Sequence, residues 1–314
     1  MSMIATVTLN PSLDEWMHLA SLRMGCLNRA TGFARYPGGK GVNVSRVIRT
    51  LGGRTVAFGL AGGEDGLILR ELMNRLSLPH RFVHVPGRTR NNYKIVTDRP
   101  QALTEVNMAG PRIPASALRA LWRQLTSARP RPRGVAFSGS LPPGAPGSIY
   151  RRWIDALRRL GVPCVLDASG DALRHGLTAR PWMVKPNRHE AEELLGRPVR
   201  GRREQLHAVH QLLQRGPALV ILSLGAEGAL LGRAFPPEVW SARPPAVRMD
   251  SAVGAGDSLV GGFLAGWAAG RSLAEAFRLG VAAGTATAMT PGTELCRLAD
   301  VRRLLRRVTI RRIV

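Results

Sequence analysis

Only three cysteines occur among the 314 residues, and no two of them lie close together in the sequence. Cys26, Cys164 and Cys296 therefore fit neither a disulfide framework nor a zinc site with paired ligands. The sequence also lacks an apolar run of the roughly 18 residues that a transmembrane helix needs. Because the segment before Asp14 carries no basic residues, a secretory signal peptide is not expected either. These absences predict a soluble protein of the cytoplasm.

Lysine is almost absent, although the sequence is strongly basic. Lys and Arg together number 45 against 21 Asp and Glu, which gives a net charge of +24, yet the only lysines are Lys40, Lys94 and Lys185. The arginines are spread along the whole chain, as GC-rich coding would produce, so the charge alone does not indicate a nucleic-acid partner. In such a chain a lysine marks a position that needs a compact ammonium rather than a planar guanidinium.

Short apolar segments alternate with amphipathic segments over most of the chain. Apolar, β-rich runs predict strands at 3–9, 54–60, 134–138, 162–167, 182–185 and 219–224. Apolar residues at helical spacing predict helices at 42–51, 66–76, 115–127, 148–160, 188–195, 203–215, 256–269 and 272–289. This alternation favours an α/β fold in which a mostly parallel sheet carries helices on both faces.

Two stretches, 12–36 and 81–107, break this alternation. Their polar and apolar residues alternate, which predicts short antiparallel strands. One β-α unit separates them in sequence, so they could form a single small sheet beside the main one. Neither an internal repeat nor a long linker is present. We therefore expect residues 1–314 to form one domain with a small β appendage built from these two stretches.

The strongest local signal is the segment Asp-Ser-Ala-Val-Gly-Ala-Gly-Asp-Ser at 250–258, which opens directly into an apolar helix. Gly254, Ala255 and Gly256 would expose backbone N–H groups at the helix N-terminus, an anion site that suits a phosphoryl group. Asp257, at the mouth of this site, could accept a proton from an attacking hydroxyl. The alternative is that Asp257 only caps the helix.

A second candidate segment, Lys185-Pro-Asn187-Arg-His-Glu190, follows a predicted strand and begins a helix. Asn187 and Glu190 have the spacing of a capping box, which is a purely structural interpretation. The functional alternative is that the two residues hold hydrated Mg²⁺, which prefers one or two carboxylates together with phosphate oxygens. Lys185 would then face a nucleotide.

Two further turns could bind ligands. Pro37-Gly38-Gly39-Lys40-Gly41-Val-Asn43 opens the first long helix, where free N–H groups and a point cation would form a second anion site. Glycine-rich helix starts also occur without ligands, so a structural turn remains the alternative. The segment from Ser223 to Gly228 ends a strand, and it suits either a plain hairpin turn or a nucleotide-contacting loop.

In their order along the chain, these segments resemble the PfkB-type (ribokinase-like) carbohydrate kinases. Residues 38–43 are similar to the first signature of that family and residues 250–258 to the second. Further family segments lie between them at 138–144, 167–173, 184–190 and 220–228. The resemblance implies a ribokinase-like three-layer αβα domain with a small β-sheet lid. It also implies Mg²⁺ and ATP as cofactors and a homodimer formed through that lid.

Within the family, the sequence is most similar to the branch of 1-phosphofructokinases and tagatose-6-phosphate kinases. The segments at 10–14, 28–29, 89–94 and 104–107 carry this likeness. The branch phosphorylates sugars that already carry a phosphate, so fructose 1-phosphate is the expected substrate. Tagatose 6-phosphate and fructose 6-phosphate remain alternatives. The sequence departs from the branch at Ser45, Tyr93 and Ala168, and none of these touches a proposed catalytic group.

The resemblance also implies roles for individual residues. Asp257 would be the general base, and Gly254, Ala255 and Gly256 the anion hole. The sugar-binding residues would be Asp14, Gly38, Gly39, Lys40, Asn43, Arg90, Asn92 and Ser140. The nucleotide-binding residues would be Lys185, Asn187, Ser223, Gly225, Gly228, Val253, Gly254 and Gly256, with Glu190 facing the metal. Lys40 and Arg90 are expected to clamp the phosphate already on the sugar, Arg90 arriving as the lid closes.

A nucleic-acid-binding protein is the alternative from a different functional class, because it would explain the charge of +24. The arginine clusters lack interleaved aromatic residues, which disfavours this interpretation. At the C-terminus, Val301, Leu304, Leu305 and Val308 fall on one face of a predicted helix. The arginine pairs at 302–303 and 306–307 fall on the opposite face, so that this segment is expected to be structural and bind neither nucleic acid nor membrane.

Overall fold

The computed structural model describes residues 2–313. Its strands are β1 (Met3–Thr8), β2 (Ser12–Leu19), β3 (Gly32–Gly38), β4 (Arg54–Ala61), β5 (His80–His84), β6 (Arg90–Asp98), β7 (Gln101–Asn107), β8 (Gly134–Ser138), β9 (Cys164–Asp167), β10 (Met183–Val184), β11 (Leu219–Ser223), β12 (Ala229–Arg233), β13 (Glu238–Arg243) and β14 (Thr309–Arg312). Its helices are α1 (Lys40–Thr50), α2 (Gly63–Arg75), α3 (Ala115–Thr126), α4 (Ile149–Arg159), α5 (Gly170–Leu177), α6 (Arg188–Leu195), α7 (Arg202–Gln214), α8 (Ala255–Ala268), α9 (Leu273–Ala288) and α10 (Leu298–Leu305). Within residues 2–313, every helix is too short or too polar to cross a membrane.

A ten-stranded sheet forms the middle layer, in the order β14-β13-β12-β11-β10-β9-β8-β1-β4-β5. The strands from β11 to β5 pair in parallel, whereas β12, β13 and β14 extend the β11 edge by antiparallel pairing. The predicted mostly parallel α/β sheet is therefore confirmed. The carboxyl ends of all the parallel strands meet along one edge, where ligands of open α/β sheets bind.

Helices cover both faces of this sheet, because its central strands are apolar on both sides. In β1, Val7 packs into a core with Leu121 of α3 and Trp153 of α4. Ile4 of the same strand packs instead with Val44 of α1 and Phe263 of α8. The alternation of side chains along β1 thus feeds two separate cores, which gives the expected three layers.

Close packing of α8 against α1 depends on a glycine. A Cβ on Gly261 of α8 would lie 2.7 Å from Cβ of Val47 and 3.0 Å from the carbonyl oxygen of Val44, both on α1. Contacts under 3.0 Å are essentially never seen for real Cβ atoms, so an alanine there would force the helices apart. The glycine therefore lets the first turns of α1 and α8 approach each other at the sheet edge.

A separate four-stranded sheet has the order β3-β2-β6-β7. The strands β2 and β6 pair in parallel, and the outer pairs are antiparallel. The second stretch expected to build this sheet, 81–107, starts too early, because β5 pairs with β4 in the large sheet. Phe82 of β5 is buried with Met73 and Leu78 in a third, smaller apolar cluster that includes Ala57 of β4.

The chain after β11 departs most from the predicted pattern. The turn Gly225–Glu227 connects β11 to β12 as a hairpin. The predicted strands end at residue 224, so β12 and β13 were not among them. The last strand, β14, was missed because Thr-Ile-Arg-Arg contains a single apolar residue. In α10, by contrast, Val301 and Leu304 are buried while Arg302 and Arg303 are exposed, which confirms the apolar face predicted for this helix.

Candidate active site

Side chains from five parts of the chain meet at the carboxyl edge of the parallel strands. Asp167 ends β9, Lys185 follows β10, and Ser223 ends β11. Lys40 and Asp257 lie in the first turns of α1 and α8, respectively, and these helices pack against each other. The described residues thus place the predicted anion site, cation and nucleotide loop along one crevice.

The N-terminus of α8 is open to a ligand. Gly254, the N-cap, has φ 77°, and no side chain caps this helix. The first intrahelical bond runs from the Ser258 N–H to the Gly254 carbonyl at 2.8 Å, so the N–H groups of Gly256 and Asp257 precede the regular ladder. The interpretation of Asp257 as a helix cap is therefore wrong, and the free N–H groups suit an anion.

The Asp257 carboxylate is buried and has a side-chain donor from the other helix. Asn43 Nδ2 donates to Asp257 Oδ2 at 2.8 Å. Burial, together with the nearby charge of Asp167, raises the pKa of Asp257 to about 6, although Lys40, Asn43 and Lys185 act in the opposite direction. A carboxylate with a pKa near neutrality is a suitable proton acceptor for a hydroxyl at physiological pH.

Two of the three lysines contact the same carboxylate oxygen. Lys40 Nζ and Lys185 Nζ each lie 3.2 Å from Asp167 Oδ1. Burial would raise the pKa of Asp167, but the two ammonium groups outweigh it and hold that pKa below its usual value. Attraction by Asp167, and then by Asp257 and Glu190, raises the pKa of Lys40 against the effect of its own burial. Lys40 is thus a fully charged cation among three carboxylates.

Asp167 is a residue that the sequence reasoning did not assign to the site. It is 1 % exposed, and its second carboxylate oxygen, Oδ2, is buried without a hydrogen-bond partner. An ionised carboxylate oxygen without a partner keeps its lone pairs available to a hydrogen-bond donor. Its place at the end of a predicted strand, among lysines in an otherwise lysine-poor chain, was the available signal.

The capping-box interpretation of Asn187 and Glu190 is confirmed. Asn187 Oδ1 accepts from the Glu190 N–H at 2.8 Å, and Glu190 Oε2 accepts from the Asn187 N–H at 2.9 Å. This cap uses only one oxygen of Glu190. The other, Oε1, lies 3.8 Å from Lys40 Nζ, so a structural role leaves half of the carboxylate facing the crevice.

The donor set is compatible with hydrated Mg²⁺. Among residues 2–313 there is no cluster of three or more His, Cys, Asp or Glu side chains that could enclose a metal ion. Magnesium at phosphoryl-transfer sites needs no such cage, because water and phosphate oxygens fill most of its coordination positions. Glu190 Oε1 is the carboxylate oxygen in the crevice that could complete such a set.

The loop after β11 is held against the capping box. Ser223 bridges to Asn187 in a parallel sense, and its N–H donates to the carbonyl of Pro186 at 3.1 Å. Gly228 has φ 96°, and a Cβ there would lie 2.0 Å from the carbonyl oxygen of Ala242. The loop is therefore both a hairpin turn and a fixed neighbour of the N-terminus of α6. The predicted residue Val253 lies just before α8, its N–H donating to Ser251 Oγ at 3.2 Å.

The small sheet contributes a carboxylate, Asp14. Its Oδ1 accepts from Ser12 Oγ at 2.8 Å and from Asn92 Nδ2 at 3.1 Å. A Cβ on Gly38 would lie 2.4 Å from Cγ of Asp14, so only glycine fits at the end of β3. The structure therefore brings Asp14, Gly38 and Asn92 together, as the predicted sugar-binding set requires.

Lys40 and Arg90, expected to form one clamp, have different partners. Arg90 donates to the carbonyl oxygens of Met108 at 2.9 Å and Asn10 at 3.0 Å, whereas Lys40 is held by Asp167. These partners show how each cation is held in the structure, and the expected clamp on the phosphate of the sugar stays a prediction. Asn10 connects the two parts by donating to Ser140 Oγ at 3.4 Å.

Arg90 also lines a cavity of about 740 Å³ between the small sheet and the main domain. Arg88 and Arg112 also line this cavity, and so does Asp65, which pairs with Arg88 at 2.8 Å, so that Arg90 and Arg112 are left as its excess positive charge. Burial lowers the pKa of Arg90, and its Nε has no hydrogen-bond partner. A desolvated guanidinium with an unused donor is suited to bind a phosphate or carboxylate.

Known proteins are similar to this chain in both sequence and architecture. Residues 7–300 match the pfkB family of carbohydrate kinases. The 1-phosphofructokinase of Bacillus subtilis is 38 % identical over 295 residues, which cover 93 % of this chain and 95 % of that protein. The ATP-dependent 6-phosphofructokinase isozyme 2 of Mycobacterium tuberculosis is 35 % identical over 302 residues, covering 96 % and 88 %.

Among solved structures, phosphofructokinase-2 from Escherichia coli in complex with substrates and products has a TM-score of 0.91 to this chain. The two are 32 % identical, with 97 % of this chain and 98 % of that chain covered. The ordered signatures, the three-layer fold and these matches agree. The chain belongs to the PfkB family of carbohydrate kinases, and it is a phosphotransferase that uses ATP.

Proposed function

We propose that this kinase transfers the γ-phosphoryl group of ATP to fructose 1-phosphate and releases fructose 1,6-bisphosphate and ADP. The observation that carries the proposal is the buried Asp257, held by Asn43 beside open N–H groups at the N-terminus of α8. The similarity to the Bacillus subtilis 1-phosphofructokinase supports the choice of sugar. Fructose 6-phosphate is the second candidate, since the Mycobacterium tuberculosis relative is a 6-phosphofructokinase; tagatose 6-phosphate is the third.

In the proposed reaction Asp257 takes the proton of the attacking sugar hydroxyl. The hydroxyl oxygen forms a bond to the γ-phosphorus while the bond from that phosphorus to the β,γ-bridging oxygen breaks, and ADP leaves. The N–H groups around Gly256 and the ammonium groups of Lys40 and Lys185 would stabilise the negative charge of the transferring group. A Cβ on Gly256 would lie 3.6 Å from Lys185 Nζ, so these donors surround one small volume.

We propose that Glu190 and Asn187 face Mg²⁺, either directly or through water. Bound Mg²⁺ would neutralise charge on the nucleotide phosphates. Lys185 and the loop Ser223–Gly228 would then contact the nucleotide, an assignment supported by their contacts with Asp167 and Asn187. At the other end of the crevice, Asp14 and Asn92 would bind sugar hydroxyls, and Arg90 would bind the phosphate that the sugar already carries.

We also propose a homodimer formed through the small sheet, which would act as a lid. By strand register, Met17, Phe33, Tyr93, Ile95 and Val106 share one face of this sheet. Trp16, on the opposite face, packs against Gly292 of the main domain, so the apolar face points away from it. Phe33 is 57 % and Val106 46 % exposed. A second copy would remove this apolar surface from water.

We infer a cytoplasmic location, which the state of the cysteines supports. Cys164 and Cys296 are buried as free thiols, and Cys26 is free and exposed. An exposed free thiol is typical of a reducing compartment. ATP, the phosphoryl donor of the proposed reaction, is supplied there.

A substrate panel with an Arg90 variant tests the proposed reaction. Wild-type protein with ATP and Mg²⁺ should phosphorylate fructose 1-phosphate with a higher kcat/KM than fructose 6-phosphate, tagatose 6-phosphate or free fructose. In Arg90→Ala, the phosphorylated sugar should lose about 2–4 kcal/mol of transition-state stabilisation, which lowers its kcat/KM by about 30- to 900-fold, while free fructose loses little. Arg81→Ala, an exposed arginine on β5, is the control. Equal losses on both sugars, or free fructose as the better substrate, would contradict the proposal.

Asp257→Asn should lose catalysis and gain stability. Loss of the base should lower kcat by about 10²–10⁴-fold, with the KM for ATP largely retained. Because the folded-state pKa of Asp257 is raised, ionisation destabilises the native state as pH rises from about 4 through about 6. The variant should therefore melt at a higher temperature than wild type at pH 8, and the difference should shrink at pH 4. A variant that keeps most of its kcat rules out the base.

Glu190→Gln should raise the Mg²⁺ concentration needed for the half-maximal rate. The matched control is Glu275→Gln, which alters the capping box of Ser272 and Glu275 at the start of α9. Titration of the initial rate with Mg²⁺ should separate the two, since only Glu190 directs an oxygen into the crevice. If both variants lower the melting temperature and neither changes the metal dependence, Glu190 is structural only.

Charging the apolar face of the small sheet should break the proposed dimer. Wild-type protein should elute at twice the 34.0 kDa of the chain, and Phe33→Asp with Val106→Asp should elute as a monomer. Leu160→Asp changes an exposed leucine outside this sheet and should leave the mass unchanged. Light scattering over a range of concentrations provides the measurement, and an unaltered mass for the double variant would exclude this interface.

A further inference from the structure

Arg46 lies on α1, three residues after Asn43, and is enclosed without an ion-pair partner. Its Nη1 donates to Asn43 Oδ1 at 3.1 Å and to the carbonyl oxygen of Pro37 at 3.2 Å. Salt bridges in the described part of the chain do not include it. Burial lowers the pKa of Arg46 to about 10, against the opposing charges of Asp14, Tyr36, Cys296 and Asp257. A guanidinium that is desolvated to this extent without an ion-pair partner needs a role beyond surface charge.

The bond from Arg46 decides which end of the Asn43 amide faces Asp257. A guanidinium only donates hydrogen bonds, so the group beside it in Asn43 has to be the oxygen. The amide nitrogen then points the other way, and it donates to Asp257 Oδ2 at 2.8 Å. With Oδ2 occupied, Oδ1 of Asp257 is left for the hydroxyl of a substrate. Hydrogen bonds are therefore donated in one direction, from Arg46 to Asn43 within α1 and from Asn43 to Asp257 on α8.

We propose that Arg46 is a positioning residue for phosphoryl transfer, which fixes the Asn43 amide so that it donates to Asp257 and ties this pair to the strand end at Pro37. The inference rests on the proposed role of Asp257 as general base. The second bond matters because Pro37 precedes Gly38, against which Asp14 of the small sheet packs. Arg46 thus connects the catalytic helix pair with the point where the small sheet joins the main domain.

Without the guanidinium, the amide of Asn43 can rotate. Its oxygen would then face Asp257, an arrangement that favours the protonated carboxyl. The other groups facing Asp257 are Asp167, Lys40 and Lys185, which remain in place. Loss of Arg46 also removes a positive charge that attracts Asp257. Both effects raise the pKa of the base, so the acid limb of the pH–rate profile should move to higher pH.

The test compares Arg46→Met with Arg49→Met, which removes an exposed arginine from the same helix. With fructose 1-phosphate, ATP and Mg²⁺, Arg46→Met should lower kcat at pH 7 by up to about 10²-fold, as displacement of a reacting group does. The KM for ATP should change less than twofold. The acid limb of kcat/KM should shift upward by about one pH unit. Arg49→Met should behave as wild type in all three measurements.

A double-mutant cycle with Asn43→Ala shows whether Arg46 acts through the amide. In the Asn43→Ala background, Arg46→Met should cost much less than in wild type, because the group it orients is gone. Arg46→Lys keeps the charge but has a single ammonium, so the acid limb should return toward wild type while part of kcat stays lost. If Arg46→Met does not fold, the cycle is run with Arg46→Lys, for which a smaller coupling of the same sign is expected.

The outcomes separate this inference from the proposed function. A wild-type protein inactive on every sugar, or an Asp257→Asn variant with normal kcat, defeats the proposed function itself. An active wild type with an inactive Asp257→Asn variant keeps that function. Additive losses in the cycle, or an unmoved acid limb in Arg46→Met, would then overturn the role of Arg46 alone.

Discussion

The buried carboxylate of Asp167, shared by two ammonium groups, is the interaction on which the rest of the site depends. Lys40 comes from the start of α1 and Lys185 from the end of β10, and both contact the same oxygen of Asp167. Taking such ions out of water costs several kcal/mol each unless every charge has a partner. The arrangement therefore fixes where α1 lies over the sheet, and it fixes Asp257 on the neighbouring helix within range of both cations. Two of the chain's three lysines are used here.

The fold creates this cluster through two ordinary constraints. Parallel strands deliver Asp167, Lys185 and Ser223 to one edge, because parallel pairing places the carboxyl ends of neighbouring strands side by side. Helix packing delivers the rest, since Gly261 lets α8 approach α1 closely enough for Asn43 to reach Asp257. Neither strand pairing nor helix packing determines by itself which reaction the site performs. Chemistry enters through the side chains at the first turns, where backbone N–H groups are also free.

The sequence predicted the parallel core well, because buried strands and amphipathic helices differ in period over many residues. It did not predict β12, β13 or β14, because β14 contains a single apolar residue and the apolar runs of β12 and β13 are too short to show a period. Residue types and local spacing identified Asp257, Lys40 and Glu190, but the bond between Asn43 and Asp257 spans 214 residues of sequence and follows only from tertiary packing. The same limit applies to the separate acceptors of Lys40 and Arg90, which only the fold shows.

The roles proposed for Asp257 and Arg90 also bear on sugar specificity. Fructose 1-phosphate and fructose 6-phosphate both carry the reacting hydroxyl and the existing phosphate at opposite ends of the same chain of carbons. A base at Asp257 and a cation at Arg90 therefore suit either sugar, bound in opposite directions, so these two residues cannot choose between them. The choice has to come from groups that contact the middle of the sugar, where the ring hydroxyls differ in position between the two orientations. In the proposed function Asp14, which Ser12 and Asn92 hold against Gly38 at the end of β3, would be the charged group at that place. Its acceptor oxygens would then distinguish one hydroxyl arrangement from the other.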